Sequence, residues 1–167
     1  NGTAANNTLT VVWNGAALVA FNGTGLVNIE AVAADLLGGA GDRLSYAGTA
    51  AANPISVNLG TGTASGFASI ANIENVTGGS GNDTITGDDN ANNLNGGANG
   101  GLDTLDGAGG DDTLVGGGGN DTLIGGLGDD AMNGNAGNDT FVFSGAFGND
   151  TITGFDENPA GGGQDLL

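Results

Sequence analysis

Neither cysteine nor histidine occurs in the 167 residues, and Lys and Arg together occur once, as Arg43. Without cysteine there is no disulfide and no thiolate ligand. Without histidine there is no imidazole ligand, no imidazole general base and no Ser-His-Asp triad. A single cationic side chain excludes nucleic acid and anionic membrane as partners, because both are held by Lys and Arg. No apolar run approaches the ~18 residues of a membrane span. No signal-peptide pattern opens the chain, which starts at Asn1 and stops in the apolar pair Leu166-Leu167. Both ends read as cut from a larger protein.

Glycine and acid are in excess. There are 37 Gly, far above a globular average of about 7%. The 19 Asp and Glu leave a net charge of −18, which opposes compaction unless something cationic neutralises it. Without a period this composition reads as disorder; with one it reads as a repeat architecture.

The period is nine. Gly116-Gly-Gly-Gly-Asn-Asp121-Thr-Leu-Ile124 is preceded by Gly107-Ala-Gly-Gly-Asp-Asp112-Thr-Leu-Val115. It is followed by Gly125-Gly-Leu-Gly-Asp-Asp130-Ala-Met-Asn133 and Gly134-Asn-Ala-Gly-Asn-Asp139-Thr-Phe-Val142. All four units have Gly at positions 1 and 4, Asp at position 6 and a large apolar residue at position 8. The array extends both ways. Residues 78–86 carry Asp83, residues 87–95 carry Asn92 in place of Asp, and residues 96–106 hold two extra residues before Asp103. Residues 143–153 again hold two extra before Asp150. Pro159 and Gly161-Gly-Gly163 then mark a loop, and Phe155, Leu166 and Leu167 are expected to cover the open end.

The N-terminal half is a degenerate version of the same thing. Residues 8–13 and 16–21 read as strands joined at Asn14-Gly15, with Trp13 and Phe21 as core or end-cap residues. Leu26-Val-Asn-Ile-Glu-Ala-Val32 matches Ile70-Ala-Asn-Ile-Glu-Asn-Val76, and both alternate as strands do. Short strands are expected at residues 56–59 and 67–70, with Gly60-Thr-Gly62 as a turn. The unit at Gly38 is one residue short, which puts Asp42 at position 5 and Arg43 at position 6. That turn is expected to bind no metal, with Arg43 as its local cation.

In each array unit the first six residues make a turn, with Gly where φ is positive or backbones approach closely. The last three make a strand with position 8 inward. Two units form one coil, and coils stack in parallel about 4.8 Å apart. Unit n therefore lies over unit n+2. Position 6 then forms two files: Asp83, Asp103, Asp121, Asp139 on one edge, and Asn92, Asp112, Asp130, Asp150 on the other. Carboxylates and backbone carbonyls, without nitrogen or sulfur donors, suit Ca²⁺ better than Mg²⁺ or softer metals. A coil buries only about two large side chains, each contributing roughly 1.5–3 kcal/mol. Cation binding is therefore expected to supply folding free energy.

The units follow Gly-Gly-x-Gly-x-Asp-x-U-x, with U large and apolar. This resembles the nonapeptide of the RTX (repeats-in-toxin) haemolysin-type calcium-binding repeat family, as found in the C-terminal repeat regions of secreted bacterial proteins. The resemblance spans residues 78–156. It implies an all-β fold, a right-handed parallel β-roll (a β-solenoid) with about four to six Ca²⁺ between stacked glycine turns. It also implies export by a type I secretion machinery, folding outside the cell, and a parent protein with an upstream domain; the module itself is expected to be monomeric. Carried over residue by residue, Asp83, Asp103, Asp112, Asp121, Asp130, Asp139 and Asp150 give side-chain oxygens, with Asn92 as a weaker member. Carbonyls are implied from Gly78, Gly79, Ser80, Gly81, Gly96, Gly107, Ala108, Gly109, Gly110, Gly116, Gly117, Gly118 and Gly119. The remaining carbonyls are those of Gly125, Gly126, Leu127, Gly128, Gly134, Asn135, Ala136 and Gly137. The division implied is 1–77 as a degenerate β-rich segment, 78–153 as the roll and 154–167 as a cap.

Other readings fit less well. Asp88-Asp-Asn-Ala-Asn92 lacks the Gly and Glu of an EF-hand loop. No glycine loop is followed by Gly-Lys-Ser/Thr, so none is a phosphate cradle. An ice-binding Thr file is missing at position 3, which holds Ser80, Gly109, Gly118, Leu127 and Ala136. Position-5 acids such as Asp111 and Asp129 are expected to face solvent. An adhesive or ligand-binding extracellular surface stays open as the alternative, and any catalysis belongs to a domain outside these residues.

Overall fold

A computed structural model of the chain describes residues 8–13, 18–21, 24–25, 33–35, 41–50, 53–155 and 165–167. The first half contributes β1 (Thr8–Trp13), β2 (Leu18–Phe21), β3 (Thr24–Gly25), β4 (Ala33–Asp35) and β5 (Arg43–Ser45). Then come β6 (Ser56–Asn58), β7 (Thr63–Ala64), β8 (Ser69–Ala71) and β9 (Asn75–Thr77). The array contributes β10 (Thr84–Thr86), β11 (Asn93–Gly101), β12 (Thr104–Asp106) and β13 (Thr113–Gly119). It ends with β14 (Thr122–Ile124), β15 (Ala131–Ala136), β16 (Thr140–Val142) and β17 (Thr151–Thr153). Among the described residues there is no helix.

Successive units alternate between two sheets, as a nine-residue half-coil demands. One sheet runs β17-β15-β13-β11-β9-β5-β1-β2-β3 and the other β16-β14-β12-β10-β6-β7, with β4-β8 as a separate pair. All array strands pair in parallel with the strand one coil away. The molecule is a parallel β-roll. Position 8 builds the core from both sides. Ile85, Leu105, Leu123 and Phe141 form one fully buried column, with Val57 beneath; Val76, Leu94, Leu114 and Met132 form the facing one.

Several details depart from expectation. The glycine turns are not plain loops. β11, β13 and β15 run on into them, with Gly97 opposite Gly117 and Gly117 opposite Asn135. The extra residues before Asp103 are absorbed between Gly97 and Gly101, where the register shifts, so Thr104 stays in line with Thr84 and Thr122. The segment from Ile70 to Val76 is not one strand. Asn72, at φ 53°, turns a corner between β8 and β9. Ile70, Ile73 and Val76 are all buried, a spacing of three that a straight strand of period two cannot bury. Arg43 is not at position 6 either. It opens β5 opposite Asn75, so Asp42 holds the position-6 place and the short unit loses its residue further back in the turn.

The hairpin expectation holds in its strands, since β1 and β2 are antiparallel with Val11 opposite Phe21. The Asn14-Gly15 turn, the residues 26–32 and 38–40, and the loop at Pro159 and Gly161–Gly163 lie outside the described residues.

Candidate metal centre

Each position-6 residue stands where a glycine turn enters a strand, and its side chain reaches back one coil. On one edge the backbone N–H groups of Ile55, Asp83, Asp103 and Asp121 donate to Oδ1 of Asp83, Asp103, Asp121 and Asp139 at 2.8–2.9 Å. On the other edge those of Asn92, Asp112 and Asp130 donate to Oδ1 of Asp112, Asp130 and Asp150 at 2.8–3.0 Å. These are the two files expected from the period, and the two-residue insertions displace neither Asp103 nor Asp150.

One oxygen per carboxylate is thereby used, and in five of the seven the other is left over. Oδ2 of Asp112, Asp121, Asp130, Asp139 and Asp150 is buried without a hydrogen-bond partner. Leaving such a group unpaired is costly, and for a charged group far more so. The glycine at position 1 shows what surrounds that oxygen. A Cβ at Gly116 would run into Oδ2 of Asp121 and, at 2.9 Å, the carbonyl oxygen of Gly134. At Gly96 it would meet Asp103 Oδ2 and the Gly116 carbonyl; at Gly107, Asp112 Oδ2 and the Gly125 carbonyl; at Gly78, Asp83 Oδ2 and the Gly96 carbonyl. A carboxylate oxygen of one coil and a main-chain oxygen of the next therefore converge where only glycine leaves room. Both are acceptors, so a hard cation suits the space between them; in the first unit a main-chain donor reaches the carboxylate instead, since Gly79 N–H donates to Asp83 Oδ2 at 2.6 Å. Among the described residues no three acidic side chains gather at one point. The carbonyls must therefore complete any coordination shell. Not every carbonyl in the turns is equally available, since that of Ala108 accepts from Leu127 N–H at 3.0 Å.

Protonation is the alternative to a cation. Burial pushes Asp112 and Asp121 up to about 7 and Asp103 up to about 6, against the pull of the main-chain donor each accepts. Carboxylates in adjacent coils add to the rise, Asp139 and Asp103 at Asp121 and Asp130 at Asp112. Burial raises Asp83, Asp130 and Asp139 as well.

Asn92 keeps its place in the file but works differently. Its Oδ1 accepts from Asp88 N–H at 2.8 Å, and its Nδ2 is buried without a partner. Arg43 takes no part in either file; its Nη1 donates to Thr77 Oγ1 at 3.1 Å.

Three features escaped the sequence. The second file continues below Asn92, since Asp42 N–H donates to Glu74 Oε2 at 2.8 Å and Asn93 N–H to the Glu74 carbonyl at 3.1 Å. The Glu of the Asn-Ile-Glu segment thus stands in for Asp, a substitution its longer side chain permits. The first file continues past Asp139 to Asp165, whose Oδ1 accepts Asp139 N–H at 2.9 Å. Position 5 also forms ladders, pointing the opposite way. Asp111, Asp129 and Asn120 accept through Oδ1 from the N–H of Asp129, Asn149 and Asn138 in the following coil, at 2.9–3.0 Å. Repetition of Asn or Asp at position 5 was the available signal.

Residues 71–101, 106–141 and 142–158 match the family model described as RTX calcium-binding nonapeptide repeat (4 copies). No curated protein matches the chain, and no solved structure does.

Proposed function

Because the chain belongs to the RTX calcium-binding nonapeptide repeat family, we propose that it is a calcium-binding module of a larger secreted protein, folding on Ca²⁺ outside the cell and so supporting export and stability. The observation that carries this reading is the set of five buried Oδ2 atoms without partners, at the same place in successive turns. Bound Ca²⁺ supplies the positive charge that these oxygens lack. The residues themselves supply the rest. Position-6 carboxylates tie one coil to the next through Oδ1 and face the cation through Oδ2. Position-1 glycines keep side chains out of the space and turn carbonyls into it.

The ligand set is that of the two files, Asp83, Asp103, Asp121 and Asp139 on one edge and Asp112, Asp130 and Asp150 with Asn92 on the other. Residues 78–153 form the cation-dependent roll, 1–77 its degenerate N-terminal part and 154–167 its cap. A chain without cysteine and with a net charge of −18 stays expanded while Ca²⁺ is scarce. That state suits passage through a type I exporter. Millimolar extracellular Ca²⁺ then drives folding. No catalytic role is assigned, since the paired carboxylates are buried and held by main-chain donors.

The test is far-UV circular dichroism and calorimetric titration with Ca²⁺, with Mg²⁺ as control. β signal that appears with saturable Ca²⁺ binding, and is lost on chelation, supports the reading. An unchanged β spectrum in excess chelator refutes coupled folding, and absence of Ca²⁺ binding refutes the function.

A further inference from the structure

The three residues Asp165-Leu166-Leu167 lie beyond the last residue matched to the repeat family, 158, and belong to no nonapeptide. They nevertheless reproduce one rung of the roll. Asp139 N–H donates to Asp165 Oδ1 at 2.9 Å, as Asp121 N–H does to Asp139 Oδ1 at 2.8 Å. Leu166 N–H donates to the Asp139 carbonyl at 2.8 Å, as Thr140 N–H does to that of Asp121 at the same distance. Phe141 N–H then donates to the Leu166 carbonyl at 2.8 Å, and Leu166 bridges Thr140 in parallel. Asp165 therefore occupies position 6 of a further coil, 26 residues after Asp139 instead of 18. It is 6% exposed.

A second, independent observation points to a ligand there. Asp139 is fully buried and its Oδ2 has no partner. That oxygen fills the space a side chain at Gly134 would take, just as Asp121 Oδ2 does at Gly116. The Asp121 space is completed by the Gly134 carbonyl of the next coil. At Asp139 the next rung brings a second carboxylate, that of Asp165, onto the same residue through its N–H.

We propose that Asp165 and Asp139 are the two carboxylates of an additional Ca²⁺ site at the C-terminal end of the roll, and that its occupancy clamps residues 165–167 onto the last coil. This rests on the calcium-binding reading above. The site would make the first file one carboxylate longer than the repeats alone provide. It would also couple the cap to the same cation that orders the array.

The test compares the full chain with its Asp165→Ala and Asp165→Asn variants, counting bound Ca²⁺ by native mass spectrometry and reading amide exchange at Phe141. Asn preserves the Oδ1 acceptor for Asp139 N–H and puts an amide nitrogen where the second oxygen was. One ion fewer in both variants, with faster exchange at Phe141 and the same circular dichroism at saturating Ca²⁺, supports the proposal. An unchanged ion count in either variant overturns it. Asp89→Asn, which removes an acid outside both files, serves as the control and should keep every ion. If the wild-type chain itself binds no Ca²⁺, the calcium-binding reading fails first, and the two failures are thereby told apart.

Discussion

The backbone N–H of Asp103 donates to Oδ1 of Asp121 at 2.8 Å, while Oδ2 of Asp121 has no partner at all. One side chain thus serves as a rivet between coils through one oxygen and, in the function proposed above, offers the other to a cation. Asp121→Ala should remove both functions. Two adjacent ions on that edge should be lost while the Asp112–Asp130 edge stays loaded. The lost charged hydrogen bond alone is worth about 1.5–3 kcal/mol. Its neighbour gives the contrast. Asn120 accepts only from Asn138 N–H, so Asn120→Ala should cost about 1 kcal/mol and leave the ion count intact. Native mass spectrometry with chemical denaturation reads both. Loss of one ion or none in Asp121→Ala would show that sites are not shared between neighbouring coils.

Acid should replace the metal in part. Burial holds Asp112 and Asp121 near 7 and Asp103 near 6 in the cation-free roll, against about 3.9 for Asp in an unfolded chain. The folded state thus binds more protons between these values, and its stability falls as pH rises. The contribution is complete below about 4 and lost on passing through about 7. In excess chelator, β signal should therefore grow as pH is lowered from 8 to 4.5, whereas apparent Ca²⁺ affinity should fall over the same range. High salt at pH 8 screens overall charge without protonating these groups, and should not reproduce the gain. If it does, general repulsion and not the two files controls folding.

In the five units from 96 to 142 position 2 has positive φ, and two of these residues are not glycine. Ala108 sits at φ 71° and Asn135 at φ 67°, where Gly117 and Gly126 adopt 113° and 106°. An Asx side chain two residues earlier accepts the N–H of each, Asp106 for Ala108 at 3.1 Å and Asn133 for Asn135 at 3.0 Å. The left-handed conformation costs Ala roughly 1–2 kcal/mol. Ala108→Gly should therefore lower the Ca²⁺ midpoint of folding, by an amount reduced by about 0.4–1 kcal/mol of unfolded-chain entropy. Gly126→Ala should raise it steeply, because the new Cβ would meet the Ala108 carbonyl. Equal effects in the two directions would mean that sterics at position 2 do not matter.

The gaps in the pattern explain how far the sequence could be read. Where Gly, Asp and the apolar residue keep their ninefold spacing, stacking follows by arithmetic, and Asp83, Asp103, Asp121 and Asp139 fall into line as expected. Arg43 and Asp42 were misplaced by one because a shortened turn can lose its residue anywhere before the strand, and only the partner strand fixes which residue faces the gap. Glu74 was hidden by its type, since the pattern asks for Asp. Asp165 was hidden by its distance, arriving 26 residues late. Asn72 shows the limit of alternation, since a corner buries every third residue and alternate-residue counting misses it.

Asn92 marks the weakest rung. Its Nδ2 is buried and unpartnered in the place where neighbouring rungs have oxygen. Asn92→Asp replaces that donor with an acceptor and makes the group a carboxylate, whose other oxygen already shares the space at Gly87 with the Gly107 carbonyl. The variant should bind one more Ca²⁺, or bind one ion at least about tenfold tighter, equivalent to about 1.4 kcal/mol. Titration calorimetry reads this directly. An unchanged isotherm would place the cation sites elsewhere than between position-6 side chains.

The hydrogen bonds that the files make between coils all run one way, from an N–H in the earlier coil to a carboxylate in the later one. A roll built like this has unlike ends. Cut anywhere, its two files leave bare N–H groups on the C-terminal face and bare carboxylates on the N-terminal face, and those two faces complement each other. Nothing in a repeat tells it where the molecule stops. Asp165 answers the last N–H of one file from within the chain, and so takes up the place that the open end of a second molecule would otherwise fill.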